Sequence, residues 1–320
     1  MIRLAGPADA AELAEVERRT AMGFGGTELV IDRGDDWFAP YRLMGDAEVM
    51  VAEVDGAIVG LVAGALHPAN VGGVPRRMLY IHHARILPAH QGRGIAFRLS
   101  SALFESFRER GYDSTYWYIA PDNAKSQAFA RRAPNRWSCG PELATIGTDL
   151  AGPAHGRPAE PADAAALAEL INVTHSGSEM FHPYTAASLA ERLTRDPTQY
   201  TWADVLVGDG AAVGVRSTGQ RLVFREAGRT VHDATEGLIL DIACAPGAQR
   251  ELERLLRAAV TRANHAGIED LSVFTHPASP TRAVLVGLHD DVMAFDMWTP
   301  TLEEPPDAAA HGVHVDPVYF

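Results

Sequence analysis

One nine-residue segment occurs twice in this chain, and the recurrence restricts its possible folds more than any other feature. Pro7-Ala8-Asp9-Ala10-Ala11-Glu12-Leu13-Ala14-Glu15 returns as Pro161-Ala162-Asp163-Ala164-Ala165-Ala166-Leu167-Ala168-Glu169, changed at one position, after an offset of 154 residues. At the same offset, Asp55-Gly56-Ala57-Ile58-Val59-Gly60 returns as Asp209-Gly210-Ala211-Ala212-Val213-Gly214. In both places Asp-Gly separates apolar runs, the signature of a hairpin. An alanine-rich chain can produce one such match by accident, but two at one offset point to duplication. With 320 residues, 47% of them hydrophobic, there is material for two cores. The expected division is a first domain over 1–150, a linker over 151–158, and a second domain over 159–320 with an irregular, surface-packed tail from Thr301. Each copy should open with a helix capped by Asp9 or Asp163; Glu12 completes a capping box only in the first.

Within the first copy, apolar Leu79, Ile81, Ile86 and Leu87 mark a buried strand. Pro88 and a turn carrying Gly92 and Gly94 follow. Then Ile95, Leu99, Ala102, Leu103 and Phe107 recur at helical spacing until Gly111. A second strand is expected over Tyr112 to Ala120. Strand, glycine turn and helix together make an anion site. The free N–H groups and positive dipole end of the helix suit a phosphate, and glycine lets it approach the backbone. The turn matches neither G-x-G-x-x-G nor the G-K-[ST] ending of a P-loop.

Gln91-Gly92-Arg93-Gly94-Ile95-Ala96 resembles [QR]-x-x-G-x-[GA], the pyrophosphate signature of the GNAT superfamily of acyl-CoA-dependent N-acyltransferases, and Ile86-Leu87-Pro88 resembles its V-x-P lead-in. Asn123-Ala124-Lys125-Ser126-Gln127-Ala128-Phe129 is similar to its second motif, N-x-x-[AS]-x-x-[FL]. The resemblance implies an α/β fold of two tandem GNAT-like domains, each a mixed, mostly antiparallel twisted sheet flanked by helices. It implies acetyl-CoA or another acyl-CoA as cofactor, held by Ile86, Leu87, the turn Gln91 to Ala96 (with Gly92, Arg93, Gly94 and Ile95), Asn123, Ser126 and Phe129. Asn123 also reads as the cap of the helix it precedes. Two positions depart from the family: Ala130 replaces a tyrosine that often protonates the leaving thiolate, and Pro134-Asn135 replaces a closing Gly-Phe. The layout resembles the two-domain mycothiol synthases, where the second half is the working one. Here the second half has only Pro246-Gly247-Ala248-Gln249-Arg250 between strand and helix, with Glu251 and Glu253 where a phosphate would sit. It is expected to keep the fold without the coenzyme site.

His82 and His83 are the ionisable pair beside the turn. In the family a glutamate near His82 often serves as general base, and a histidine of pKa about 6.5 can do that work. In a regular strand the two point to opposite faces, His82 sharing its face with Ala84 and Ile86, unless a β-bulge intervenes. Each also reads as a hydrogen-bonded strand histidine. Phe24, Trp37 and Tyr118 are candidate substrate contacts, or else packing residues.

Composition narrows the rest. The net charge is −13, with 16 basic and 18 acidic side chains in residues 1–150 against 12 and 23 in residues 151–320. Such a surface disfavours nucleic acid and anionic membrane as partners. The two cysteines, Cys139 and Cys244, form no ligand or disulfide pattern, so a reduced, cytoplasmic setting is expected, with no metal. No apolar run is long enough for a membrane span. The expected activity is acetyl transfer to the amine of a small molecule, by a monomer or homodimer. The alternative is a non-catalytic acyl-CoA-binding module or sensor.

Overall fold

The computed structural model describes residues 1–24, 27–121, 123–131, 135–137, 140–303, 310 and 312–319. Two mixed, mostly antiparallel sheets, seven strands on one path and seven on the other, carry helices on their faces. In the first sheet Ala47–Val54, Ala57–Val71 and Val74–Ile86 form an antiparallel meander. Asp55 and Gly56, both at positive φ, make its first turn (50° and 79°), as a hairpin of opposed twist requires. The helix Ile95–Arg108 then returns the chain so that Ser114–Ile119 lies parallel to Val74–Ile86.

The second sheet repeats the scheme. Ala211–Glu226 pairs antiparallel with Arg229–Cys244, the helix Gln249–His265 follows, and Asp270–Thr275 returns parallel to Arg229–Cys244. Both helices are amphipathic, burying Leu99, Leu103 and Phe107 in one and Leu252, Leu255, Leu256 and Ala259 in the other.

The expected boundary does not divide the sheets. Glu142–Ile146 leaves the first half and pairs with Asp270–Thr275 in the second sheet, and Asp296–Thr299 returns to pair with Ser114–Ile119 in the first. The two connections cross where Gly140 lies against the Phe295 carbonyl, so close that any Cβ at 140 would overlap that oxygen. A hairpin from the first half (Met22–Phe24 and Thr27–Asp32) also pairs along Ala211–Glu226. The largest core accordingly joins Leu13, Leu61 and Leu103 to Ile171, Phe181 and Leu189.

Three other expectations change. Asp9 and Asp163 do not cap the helices that follow them; each accepts instead from the backbone N–H three residues earlier, Gly6 or Glu160. The proline- and glycine-rich stretch from Pro68 to Pro75 is not a loop: both strands run through it, and only Gly72 and Gly73, at φ 58° and 73°, turn. The tail is not merely a surface strap. Val313, Val315 and Val318 are buried, Val313 bridges Glu179, and Asp316 holds the buried Arg192 through two hydrogen bonds of 2.7 and 2.8 Å.

Candidate active site

The parallel pairing in the first sheet is short: Met78 faces Ser114, Leu79 faces Thr115, Tyr80 faces Tyr116, and there it stops. Both strands continue, one to Ile86 and the other to Ile119, so they diverge and leave a cleft between them. The cause lies in the register with Ala57–Val71. Ala63 faces His82 and Leu61 faces Arg85, so Val62 opposes two residues, His83 and Ala84. This is a β-bulge, and His83 adopts φ 57° within it. The bulge bends the strand away from its parallel neighbour.

The bulge also resets which side chains share a face. In a regular strand His82 would align with Ala84 and Ile86. Here it aligns with Arg85, because Ala63 and Leu61, their partners, lie two apart on one face. Ile86 turns to the other face, opposite Gly60.

His82 packs its ring flat on Tyr80, with centroids 4.7 Å apart and planes 7° apart, and the Tyr41 ring sits 5.7 Å away. Tyr80 in turn stacks on Tyr116 at 5.0 Å and lies 5.8 Å from Tyr118. His82 Nε2 is buried and has no hydrogen-bond partner. Burial, then the neighbouring His83, Arg33 and Arg85, push its pKa well below the usual 6.5, so the ring is neutral at neutral pH.

His83 is differently employed. Glu17 pairs with its Nε2, Arg33 Nη2 lies 2.8 Å from its Nδ1, and the Tyr41 hydroxyl lies 3.3 Å from the same nitrogen. The pattern fits a neutral ring donating from Nε2 and accepting at Nδ1. Burial and the Arg33 guanidinium lower its pKa to about 4. Glu17 also accepts from Arg33 Nε at 2.9 Å and from Trp37 Nε1 at 2.7 Å. Burial would raise the Glu17 carboxyl, but His83 and Arg33 hold it down to about 2. His83, Glu17, Arg33 and Trp37 therefore form a closed buried network, and His82 stands beside it with a free nitrogen.

Beyond the cleft, a single 3₁₀ turn, Pro88–His90, leads into the glycine turn, and Gln91 donates from Nε2 to the Ile86 carbonyl at 3.0 Å. Gly92 and Gly94 stand at φ 75° and 70°, and a Cβ added at either would meet nothing within 4 Å. Gly94 is the N-cap of Ile95–Arg108. The turn thus offers a bare helix start open on its outer side. Arg93 and Ala96 are exposed, whereas Ile95 is buried and anchors the helix. These residues fit a pyrophosphate: free N–H groups, glycine backbone and room for the anion.

The other candidates divide. Asn123 accepts from the Ser126 N–H at 3.1 Å and so caps the helix Ala124–Ala130, while Phe129 is exposed. Ala130 is fully buried beside Ile119 and Trp298 and has no hydroxyl to offer. Trp37, expected as a substrate contact, is 1% exposed and is committed to Glu17 and the Tyr41 ring instead. Phe24 ends the strand Met22–Phe24, and its side chain lies outside the described residues. Tyr118 is half-buried on the cleft-forming strand. Tyr80, Arg85 and the Glu17–Arg33 pair escaped sequence reasoning. The one available signal was a charged residue, Arg85, inside an otherwise apolar strand end.

The second sheet has the same cleft without the turn. Its parallel pairing ends at Ile239 and Val273, Val213 opposes the bulged pair Asp241 and Ile242, and Asp241 adopts φ 49°. The site matching His83 is thus an aspartate, bound by Arg192 and by the Tyr200 hydroxyl at 2.9 Å. Val313, His314 and Val315 of the tail line the space beside it, leaving about 40 Å³, room for a few waters and no coenzyme arm. Glu251, at the start of the helix, is held by His155 at 2.8 Å. Among the described residues no cluster could hold a metal ion, and no helix is long and apolar enough to cross a membrane.

The sequence profile of the Acetyltransferase (GNAT) family matches residues 13–133. No curated protein matches the chain. Among solved structures, it is similar to N-myristoyltransferase of Saccharomyces cerevisiae with bound myristoyl-CoA. That likeness has a TM-score of 0.63 and 11% identity, and covers 95% of this chain and 84% of that one. It is also similar to a GCN5-related N-acetyltransferase from Kribbella flavida, with a TM-score of 0.51 and 16% identity over 93% of this chain and 71% of that one. At these identities the likeness is one of fold, the two-domain α/β architecture of mixed, curled sheets flanked by helices.

Proposed function

We propose, for a chain whose residues 13–133 match the acetyltransferase (GNAT) family, transfer of an acetyl group from acetyl-CoA to the amine of a small molecule. The observation that carries this reading is the cleft opened by the bulge at His83, with the open glycine turn at its end.

The N–H groups at Gly92 to Ala96 would receive the pyrophosphate of acetyl-CoA, and the pantetheine arm would run between Ile86–Leu87 and the end of the strand Ser114–Ile119. The substrate amine, arriving largely as an ammonium ion, gives a proton to His82 Nε2. Its lone pair then attacks the thioester carbonyl carbon, the C–S bond breaks, and the thiolate departs as CoA. The second proton, shed by the nitrogen as the amide forms, passes through water to the thiolate, since Ala130 has no group to relay it. The Tyr41 ring beside His82 and the stacked rings of Tyr80 and Tyr116 would be bulky neighbours of that carbonyl, which favours a short acyl group. Positioning supplies much of the rate.

On this reading the chain comprises a working copy, 1–150, joined through 151–158 to a copy, 159–320, that has lost its phosphate turn and filled its cleft with the tail. The test is release of free CoA from acetyl-CoA across a panel of amines, beside calorimetry of acetyl-CoA binding. One coenzyme bound per chain and amine-dependent release are expected. Binding without release from any amine would leave the sensor reading, and Ala130 is the observation that favours it.

A further inference from the structure

Arg85 is the side chain that the site described above does not explain. It follows the bulged pair directly, on the face it shares with His82, so the two project from the same side of the diverging strand about 7 Å apart along it. It is half-buried, and among the described residues it makes no hydrogen bond and no ion pair. Burial lowers its pKa from the ordinary 12.5, yet a guanidinium remains charged at neutral pH.

The nearby carboxylates are spoken for. Glu17 already serves Arg33, His83 and Trp37. Glu236, across from Arg33 on the second sheet, is buried enough that its carboxyl is pushed up to about 7, and its cationic neighbours are Arg216 and Arg33. With both histidines neutral, Glu17 and Glu236 together can offset at most two of Arg33, Arg85 and Arg216, so at least one positive charge is left over in this region. That is an unusual surplus in a chain whose net charge is −13. An unpaired cation drawn partly out of water is destabilising, so a protein gains little by keeping one unless a ligand completes the pair.

We infer that the cleft beside His82 takes a singly charged carboxylate, held by Arg85, on one of the two reacting partners. A carboxylate suits the planar fork of a guanidinium in two parallel hydrogen bonds, and its single charge offsets one positive charge of that surplus. The carboxylate belongs either to the acceptor, an amino-acid-like amine, or to the acyl group, as in a dicarboxylic acyl-CoA. This assignment rests on the acyltransferase reading for its chemistry, but the binding of a carboxylate does not depend on turnover.

The experiment has two kinetic arms and one binding arm. In the first, acetyl-CoA is offered with free amino acids and with the corresponding amino acid amides. In the second, succinyl-CoA and acetyl-CoA are compared with the amides as acceptors. In one arm the carboxylated partner should be preferred by about 10²-fold or more in kcat/KM, since a site built around a polar group rejects the analogue that lacks it. Arg85→Met should abolish that preference and leave acetyl-CoA affinity unchanged, and Arg85→Lys should restore part of it. Removing an unpaired charge should leave the thermal midpoint of Arg85→Met equal to or above wild type; a marked fall would make Arg85 structural and overturn the assignment. Equal use of both forms in both arms, or a preference that survives Arg85→Met, would overturn it too. If no amine releases CoA, calorimetry of amino acids, their amides and succinyl-CoA with the wild type and Arg85→Met decides. Carboxylate binding that needs Arg85 upholds the site while the acyltransfer reading fails, and its absence removes the site.

Discussion

Replacing Gly94 by alanine separates the coenzyme turn from the fold. Gly94 holds φ 70°, and a Cβ there meets nothing within 4 Å, so the substitution adds backbone strain without a packing clash. For a residue with a Cβ the left-handed region costs about 1–2 kcal/mol. In a chain of this size that lowers the melting midpoint by only a few degrees. The coenzyme feels a different effect. The new methyl group stands on the open side of the helix start, where the pyrophosphate would approach. Losing one charge-assisted N–H bond at about 1.5–3 kcal/mol weakens binding roughly 10- to 100-fold. A control with matched strain exists in the Asp55-Gly56 hairpin, where Gly56 stands at φ 79° with equally open space around its Cβ. Gly56→Ala should lose the same stability and bind acetyl-CoA as the wild type does. Calorimetry and melting of both variants make the measurement. If Gly94→Ala bound acetyl-CoA within threefold of Gly56→Ala, the turn would not be the pyrophosphate site.

Two further outcomes concern the histidines and their support. His82→Ala should lower turnover by about 10²–10⁴-fold and leave acetyl-CoA affinity nearly unchanged, with partial recovery at higher pH where more amine is already free; a variant within a few-fold of wild type would exclude His82 as the base. Because the His82 pKa lies well below 6.5, the basic form is fully present at neutrality, so kcat/KM should show no inflection near pH 6.5 and should lose the base only in more acidic solution; a clear inflection at 6.5 would place the working group elsewhere. Glu17→Gln leaves Arg33, 8% exposed, without its carboxylate and should cost about 3–5 kcal/mol in urea unfolding, much of it recovered by adding Arg33→Met; a loss under about 1 kcal/mol would show that the network is not a stabilising unit. The same network gives stability a pH dependence. His83 is neutral when folded, with its pKa lowered to about 4, so its contribution is complete above pH 6.5 and falls away as pH drops from there toward 4.

Local chemistry sufficed for much of this. The hairpin at Asp55-Gly56, the amphipathic helix from Ile95 and the cap at Asn123 follow from backbone preferences and periodicity that neighbouring residues set among themselves. So does the glycine turn: Gly92 and Gly94 take positive φ because the path from Pro88 into the helix demands it, and that need is written in the spacing of the glycines. The offset of 154 residues likewise foretold two sheets built on one plan.

What the sequence left open depended on partners far along the chain. A β-bulge is a mismatch between two strands, so the doubling at His83 and Ala84 exists only against Val62, and with it the pairing of His82 with Arg85 on one face. The exchange of strands between the halves has the same kind of origin. Glu142–Ile146 and Asp296–Thr299 each complete the other half's sheet, because each sheet's last parallel strand ends in an open edge that some distant strand must satisfy. Burial decided the charges. Glu17 and Arg33 carry no local sign of burial until the fold encloses them against Trp37, and the lack of a partner for Arg85 emerges only once the carboxylates near it are seen to be engaged. Sequence spacing fixes which backbone groups a turn can offer to a ligand, while the count of charges left over in a cleft is a property of the folded chain.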